Sequence, residues 1–440
     1  MSSAADTGAR LRVAGGGSIS GELTVPGDKS ISHRALMLGG LAEGDTHISG
    51  FLAGADCLST LRALEALGVR IERPSPEQVV VHGRGAAALS GSSAPLEMGN
   101  AGTAMRLFMG LLAPQPFDSV LIGDESLMRR PMERVAAPLR QMGARIETRE
   151  GRPPVHVRGT PGLHGIDFHL PVASAQVKSA LLLAGLGASG RTRVTEPAPT
   201  RDHTERMLGA FGVTVQREGA SVSLEGGQRL RGASVHVPAD FSSAAFFIVA
   251  GLMAAERAVL LRNVGVNPTR TGLLEMLKRM GADIRLHPHA GEAVEPTADI
   301  EVRKSRLHGI HVPIELVPLA IDEFPIFFIA AALADGQTTV RGAQELRVKE
   351  SDRLAAMAEG LTTLGVDNHL LDDGLWIRGG SGFGGGTIDS HGDHRIAMAF
   401  AIAGLAARAP IEIRDVANVA TSFPGFVELA RAAGLGLEAL

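Results

Sequence analysis

The 440-residue sequence predicts an α/β fold of six pseudo-repeats, arranged as two lobes of three. Three observations carry this reading. One unit of helices and strands recurs six times at a spacing of about 65 to 80 residues, which builds domains rather than a solenoid. The first helix of each unit is apolar on every side, so it has to be buried nearly all round. Two strands end in proline, near Val25-Pro26 and Pro238-Ala239, and there the chain is expected to cross between lobes. The expected lobes are residues 1–25 with 239–440, and residues 26–238.

Each unit reads as an Ala/Gly-rich helix, a β-branched strand, a polar loop, a second helix and another strand. The first copy runs from Leu36 into Thr46-His47-Ile48, then from Leu61 to Gly68 into Val69-Arg70-Ile71. The second runs from Leu107 into Val120-Leu121-Ile122, then from Pro138 to Gly143 into Ala144-Arg145-Ile146. The third runs from Leu181 into Thr192-Arg193-Val194, then from Met207 to Gly212 into Val213-Thr214-Val215. The fourth joins Phe246 to Val259-Leu260-Leu261 and Leu273–Gly281 to Ala282-Asp283-Ile284. The fifth joins Phe327 to Thr338-Thr339-Val340 and Leu354–Gly365 to Val366. The sixth joins Phe400 to Ile411-Glu412-Ile413 and closes with Phe426–Gly434. Helices mixed with several strands per unit set the class.

Composition narrows the function. A net charge of −4 gives no global basic excess for nucleic acid, so any anion site has to be local. With no Tyr and one Trp, Trp376, there is little material for stacking bases. The single cysteine, Cys57, excludes an internal disulfide or a cysteine metal cluster and reads as a buried, inert helix residue. Met1 to Arg10 lacks the apolar core of a signal peptide. The longest apolar run, Ala244–Ala255, is too short to span a bilayer, so a cytoplasmic protein is expected.

Charge gathers at the helix starts. In Pro26-Gly27-Asp28-Lys29-Ser30-Ile31-Ser32-His33-Arg34, a Pro-Gly turn ends a strand and an apolar helix begins. Ser30 and Arg34, four apart, share a helix face. Unpaired N–H groups and the positive dipole end favour an anion there. The first helices of the other repeats also open on polar stretches. These are Asn100–Arg106, Ala173–Lys178, Asp240–Ser243, Asp322–Pro325 and Asp393–Arg395. Three basic loops add to them: Arg129-Arg130-Pro131, Arg201-Asp202-His203 and Lys349–Arg353. If pseudosymmetry turns these starts toward a cleft between the lobes, two anionic substrates are the natural occupants and the carboxylates supply proton transfer. The Gly15–Gly17 and Gly384–Gly386 runs match no nucleotide fingerprint and read as turns. His391, Asp393 and His394 do not form a supported metal pattern.

The motifs Pro26-Gly27-Asp28-Lys29-Ser30, Gly99-Asn100-Ala101-Gly102-Thr103, Arg130-Pro131-Met132, Arg347–Arg353 and Asp393-His394-Arg395 resemble the 5-enolpyruvylshikimate-3-phosphate synthase family. The similarity extends from about Gly15 to about Leu435, with several independent motifs in order. The resemblance implies an enolpyruvyl-transferase-like fold, a two-lobed inverted α/β barrel. It implies transfer of the enolpyruvyl group of phosphoenolpyruvate to the 5-hydroxyl of shikimate-3-phosphate, in the shikimate pathway to chorismate and the aromatic amino acids. It also implies no metal or organic cofactor, and a monomer is expected.

Carried over by motif, Lys29 is implied to contact both substrates and to join Asp322 and Glu350 as a catalytic residue. Ser30, Arg34, Ser174, Ala175, Gln176, Asp322 and Lys349 are implied for shikimate-3-phosphate. Lys29, Asn100, Gly102, Arg130, Gln176, Arg353 and Arg395 are implied for phosphoenolpyruvate. Arg201, from its place in its loop, is read as a further phosphate ligand. The chain departs from many members at three places. Ser126 stands roughly where a second Arg precedes Arg130-Pro131, Ser422 precedes Phe423-Pro424 in place of Lys, and Leu107 stands in place of Pro. Ser174-Ala175-Gln176, Arg201–Thr204 and Asp322–Pro325 look like the divergent bacterial class that includes glyphosate-tolerant enzymes. Gly102, where tolerant members often carry Ala, argues for sensitivity to that inhibitor. A UDP-N-acetylglucosamine enolpyruvyl transferase would carry Lys-Asn in the first motif and a reactive loop Cys, whereas this chain has Lys29-Ser30 and a helical Cys57. A non-catalytic anion-binding protein would not need both Asp322 and Glu350.

Overall fold

The computed structural model describes residues 9–290 and 294–440, so the first eight residues of the Met1–Arg10 stretch lie outside the described residues. Its contacts divide the chain into two units. One takes in residues up to Pro26, from Ala239 to 290 and from Pro296 to Leu440; the other takes in Gly27–Pro238 with 294–295. The boundary thus differs from the expected one at Pro26, and residues 294–295 group with the 27–238 unit rather than with their sequence neighbours.

In the 27–238 unit the repeats supply helix α1 (Lys29–Leu41) with α2 (Ala55–Ala66), α3 (Gly102–Leu112) with α4 (Glu133–Gln141), and α5 (Ala175–Leu186) with α6 (His203–Ala210). The first helix of each pair is buried as its sequence requires. Every residue of α1 from Ile31 to Leu41 is buried, as is every residue of α5 from Val177 to Leu186. Packing of α3 against α5 forms part of this interior. Asp28 starts α1 by accepting a hydrogen bond from the Ile31 N–H at 2.9 Å. Gly27 before it has to be glycine, because a Cβ would strike the Gly50 carbonyl oxygen.

The other unit supplies α7 (Phe241–Ala254), α8 (Gly272–Arg279), α9 (Phe324–Leu333), α10 (Arg353–Thr363), α11 (His394–Ala403), α12 (Val419–Ser422) and α13 (Phe426–Ala433). Here α7, α9 and α11 pack on one another and are buried nearly all round. The apolar run at Ala244–Ala255 is therefore core. Among the described residues no helix is long and apolar enough to cross a membrane.

Each unit surrounds its apolar helices with three sheets of one design. A short strand runs parallel to a second, which pairs antiparallel with a third, and the third pairs antiparallel with a fourth. Thus Asp167–His169 lies beside Arg191–Thr195, then Ser221–Glu225, then Gln216–Glu218. Three sheets are completed by distant chain: Ser234–His236 joins Glu43–Ser49, Ile19–Leu23 joins Ala255–Gly265, and Leu11–Val13 joins Ile411–Arg414. In the sheet of Gln337–Val340 the first position is reduced to isolated bridges at His308 and His311.

One predicted strand is displaced. Val213-Thr214-Val215 lies outside any strand, and the strand follows at Gln216–Glu218. The reason is local: the Gln228 side chain accepts from the Thr214 N–H at 2.8 Å and donates to its carbonyl at 3.2 Å, which replaces a ladder partner. Several other strands begin one residue later than read, at Arg70, Arg145, Asp283 and Asp367, because the residue before each closes the turn of the preceding helix.

Candidate active site

Within the 239–440 unit, Asp322, Lys349, Glu350, Arg353 and Arg395 come together. Three helix starts place them: Asp322 lies two residues before α9, Arg353 opens α10, and Arg395 is the second residue of α11. Arg353 is the centre. It is 1% exposed and makes four hydrogen bonds to carboxylates. Its Nε donates to Asp393 Oδ2 at 2.7 Å, Nη1 to Asp322 Oδ1 at 3.3 Å, and Nη2 to Glu350 Oε2 at 2.6 Å and Asp393 Oδ1 at 3.3 Å. Lys349 Nζ lies 3.5 Å from Asp322 Oδ1, and Arg395 Nη1 donates to the Asp322 carbonyl at 3.1 Å.

Asp393, weighed in the sequence beside His391 and His394, serves this cluster instead. Its carboxylate also caps α11 through the Arg395 N–H at 2.9 Å and accepts from Ser351 Oγ at 3.2 Å. Burial by itself pushes the Asp393 carboxyl up, but Arg353 outweighs it and holds the group below its ordinary value. Burial likewise opposes the charge on Arg353, and Asp393, Glu350 and Asp322 together raise it. His391 is occupied elsewhere, by Glu359 and Asp389. Arg353 is thus the buried hub on which two candidate proton-transfer carboxylates, Asp322 and Glu350, hang.

Within the 27–238 unit, α5 links two groups of predicted residues. At its start, Ser174 Oγ accepts from the Val177 N–H at 3.4 Å, with Ala175 the first helical residue. Gln176 donates to Thr103 Oγ1 at 2.9 Å and accepts from Arg106 Nη1 at 2.6 Å. Arg130 donates to the Asn100 side-chain oxygen and to Ser126 Oγ at 3.3 Å, while Asn100 Nδ2 donates to Asp124 at 2.7 Å. Ser126 thus supports Arg130. Gly102 opens α3 against this group: a Cβ would lie 3.0 Å from Arg130 Nη1 and 3.4 Å from Arg106 Nη1. Further along α5, Ser179 touches Arg34, whose Nη1 also donates to the Ser30 carbonyl at 3.0 Å. Arg201 stands half-buried before α6, close enough for its charge to act on Arg34. Lys29, the first residue of α1, forms an ion pair with buried Asp56 on α2.

Several participants carried no recognisable sequence signal. Asp56 is one acid in an amphipathic helix, and Ser179 and Thr204 are hydroxyls on buried faces. Arg106 stands in the polar Asn100–Arg106 stretch, but nothing in its spacing marks it as the partner of Gln176. Ser422, before Phe423-Pro424, is buried at the end of α12, and Phe423 beside it packs edge-on to Phe247.

Buried cations of this kind suit phosphate and carboxylate, and carboxylates held beside them suit proton transfer. The architecture is that of enolpyruvyl transferases. The enolpyruvyl transferase NikO from Streptomyces tendae superposes with a TM-score of 0.79 at 18% identity, covering 98% of this chain and 99% of that one; this shows the fold alone. EPSP synthase from Acinetobacter baumannii superposes with a TM-score of 0.87 at 53% identity, covering 98% of this chain and 100% of that one. The 3-phosphoshikimate 1-carboxyvinyltransferase of Alkalilimnicola ehrlichii is 60% identical over 423 residues, 96% of this chain and 95% of the relative. A sequence model described as EPSP synthase (3-phosphoshikimate 1-carboxyvinyltransferase) matches residues 13–429. The chain belongs to the EPSP synthase family.

Proposed function

We propose that this protein transfers the enolpyruvyl group of phosphoenolpyruvate to the 5-hydroxyl of shikimate-3-phosphate and releases phosphate. Family membership supports the reaction. The observation that carries the residue assignment is the clustering of Asp322, Lys349, Glu350 and Arg395 around the buried Arg353, with Asp322 and Glu350 on its guanidinium and Lys349 and Arg395 on Asp322.

The reaction proceeds by addition and elimination. A carboxylate takes the proton of the 5-hydroxyl, and the oxygen bonds to C2 of phosphoenolpyruvate. A proton goes to the C3 methylene, which becomes a methyl group. From this tetrahedral intermediate the methyl gives a proton back, the C2–O bond to phosphate breaks, and the enol ether double bond returns. Asp322 is assigned the hydroxyl proton and Glu350 the C3 proton. Arg353 holds both carboxylates in place. Lys29, Ser30, Arg34, Ser174, Ala175, Gln176, Arg201 and Lys349 are assigned to shikimate-3-phosphate. Lys29, Asn100, Gly102, Arg130, Gln176, Arg353 and Arg395 are assigned to phosphoenolpyruvate, whose two anionic ends suit planar guanidinium forks. The proposal further takes the enzyme to be cytoplasmic and monomeric, with glyphosate competing for the phosphoenolpyruvate site.

The test is phosphate release by the purified protein given phosphoenolpyruvate with shikimate-3-phosphate, or with UDP-N-acetylglucosamine as the alternative acceptor. Release with shikimate-3-phosphate alone is expected. Release with the sugar nucleotide, or silence with both acceptors despite thermal stabilisation by ligand, overturns the proposal.

A further inference from the structure

Arg34 is a buried cation, 4% exposed, with no carboxylate in contact with it among the described residues. Two hydroxyls and a carbonyl hold it. Nε donates to Thr204 Oγ1 at 2.7 Å, Nη2 to Ser179 Oγ at 3.0 Å and Nη1 to the Ser30 carbonyl at 3.0 Å. Thr204 in turn donates to Ser179 Oγ at 2.7 Å, so the two hydroxyls are locked to each other. A guanidinium has five N–H groups, and these three bonds leave one on each terminal nitrogen.

A carboxylate is close in sequence and is drawn away. Glu205 follows Thr204 on α6, and Lys178 precedes Ser179 on α5. Lys178 Nζ lies 2.7 Å from Glu205 and 2.9 Å from Glu196, with its side chain fully buried. The two helices therefore face each other through adjoining pairs, one charged and one of hydroxyls, and Arg34 sits on the uncharged pair. Burial pushes the Arg34 guanidinium down to about 10; Glu205, Asp28 and Glu295 oppose this from beyond contact distance, and Arg201 adds to it. A buried cation whose contacts are all neutral oxygens keeps more of its attraction for an anion than one paired in contact with a carboxylate.

We propose that Thr204, with Ser179, is a positioning residue that aims the Arg34 guanidinium at the anionic acceptor substrate while leaving it without a carboxylate in contact. The inference rests on the assignment of Arg34 to shikimate-3-phosphate.

The test compares Thr204→Val, Thr204→Ser, Arg34→Met and the double variant Arg34→Met/Thr204→Val in steady-state kinetics. Thr204→Val is expected to raise KM for shikimate-3-phosphate about tenfold, with kcat and the phosphoenolpyruvate KM moving less than twofold. Thr204→Ser, which keeps the hydroxyl, is expected to restore the affinity. The double variant is expected to match Arg34→Met, because the two residues act as one unit. If Arg34→Met leaves the shikimate-3-phosphate KM unchanged, the assignment of Arg34 fails and the inference with it. If Arg34→Met raises that KM but Thr204→Val does not, or shifts both KM values alike, the assignment stands and the inference is overturned. Should Thr204→Val fail to fold, Ser179→Ala reads the Nη2 bond of the same cradle, with the same split expected and the same results overturning it.

Discussion

Replacing Gly102 by alanine adds one methyl group at the first residue of α3. Built on the backbone, that methyl lies 3.0 Å from Arg130 Nη1, 3.4 Å from Arg106 Nη1 and 3.5 Å from Leu127 Cδ1. Ordinary contact begins near 3.4 Å, so the Arg130 guanidinium has to retreat by some tenths of an ångström. It is poorly placed to do so, being 7% exposed and tied to Asn100 and Ser126. The helix itself gains, since alanine is preferred over glycine there by up to about 0.5–1 kcal/mol. Stability is thus expected to hold or rise slightly while anion binding weakens. A hydrogen bond from a charged group is worth about 1.5–3 kcal/mol, so partial displacement of Arg130 corresponds to about 1.4 kcal/mol, or about tenfold in affinity. The assay is KM for both substrates beside thermal unfolding and inhibition by glyphosate. KM for phosphoenolpyruvate should rise about tenfold with little change for shikimate-3-phosphate, and glyphosate, the longer molecule, should lose more. An unchanged phosphoenolpyruvate KM would refute the placement of Gly102 beside a working Arg130. A fall in melting temperature of several degrees would refute the claim that the strain is confined to the site.

Three further outcomes are expected. Asp322→Ala should retain shikimate-3-phosphate binding by calorimetry but lose about 10²–10⁴ in kcat; unchanged turnover would remove it from the mechanism. Arg353→Met should lower stability in urea by about 3–5 kcal/mol, because it strands buried Asp393 and its neighbours; a loss under 1 kcal/mol would contradict its place as the hub. His33 is fully buried with Nδ1 2.7 Å from Thr60 Oγ1, and burial, helped by Lys29 and Arg34, pushes it down to about 3. Its unfolded counterpart takes a proton near pH 6.5 and the native one does not. Stability should therefore fall by about 1.36 kcal/mol per pH unit below 6.5, or about 2 kcal/mol by pH 5. Urea titrations of His33→Gln should lose that part of the slope, and equal slopes in both proteins would show that His33 protonates in the native state.

The six repeats were legible because their signal is local. Runs such as Phe241–Ala254 and Phe324–Leu333 have almost no polar face, so they could be nothing but core. Likewise a charged cluster stands out at the start of an apolar helix, which is why Asp322, Lys349, Glu350, Arg353 and Arg395 could be picked out singly. Their mutual arrangement could not be read. That Arg353 is enclosed by three carboxylates depends on the packing of α9, α10 and α11, and the hydroxyl cradle of Arg34 joins residues 34, 179 and 204. Spacing carries no trace of either. Val213-Thr214-Val215 has the composition of a strand, but a glutamine fourteen positions from Thr214 takes the bonds that a neighbouring strand would have taken.

The strand Leu11–Val13 pairs antiparallel with Ile411–Arg414 on one side and Leu437–Ala439 on the other, and Arg10 meets Glu412 across 402 positions of chain. This has a consequence for biogenesis. During synthesis the segment from Gly27 to Pro238 can close three sheets from its own residues. The strand at Leu11–Val13 meanwhile waits with both edges unpaired until its partners emerge. Such long loops make closure slow, and a waiting strand is open to pairing with other chains. Arg10 just before it and Arg12 at its middle give that edge charge during the interval.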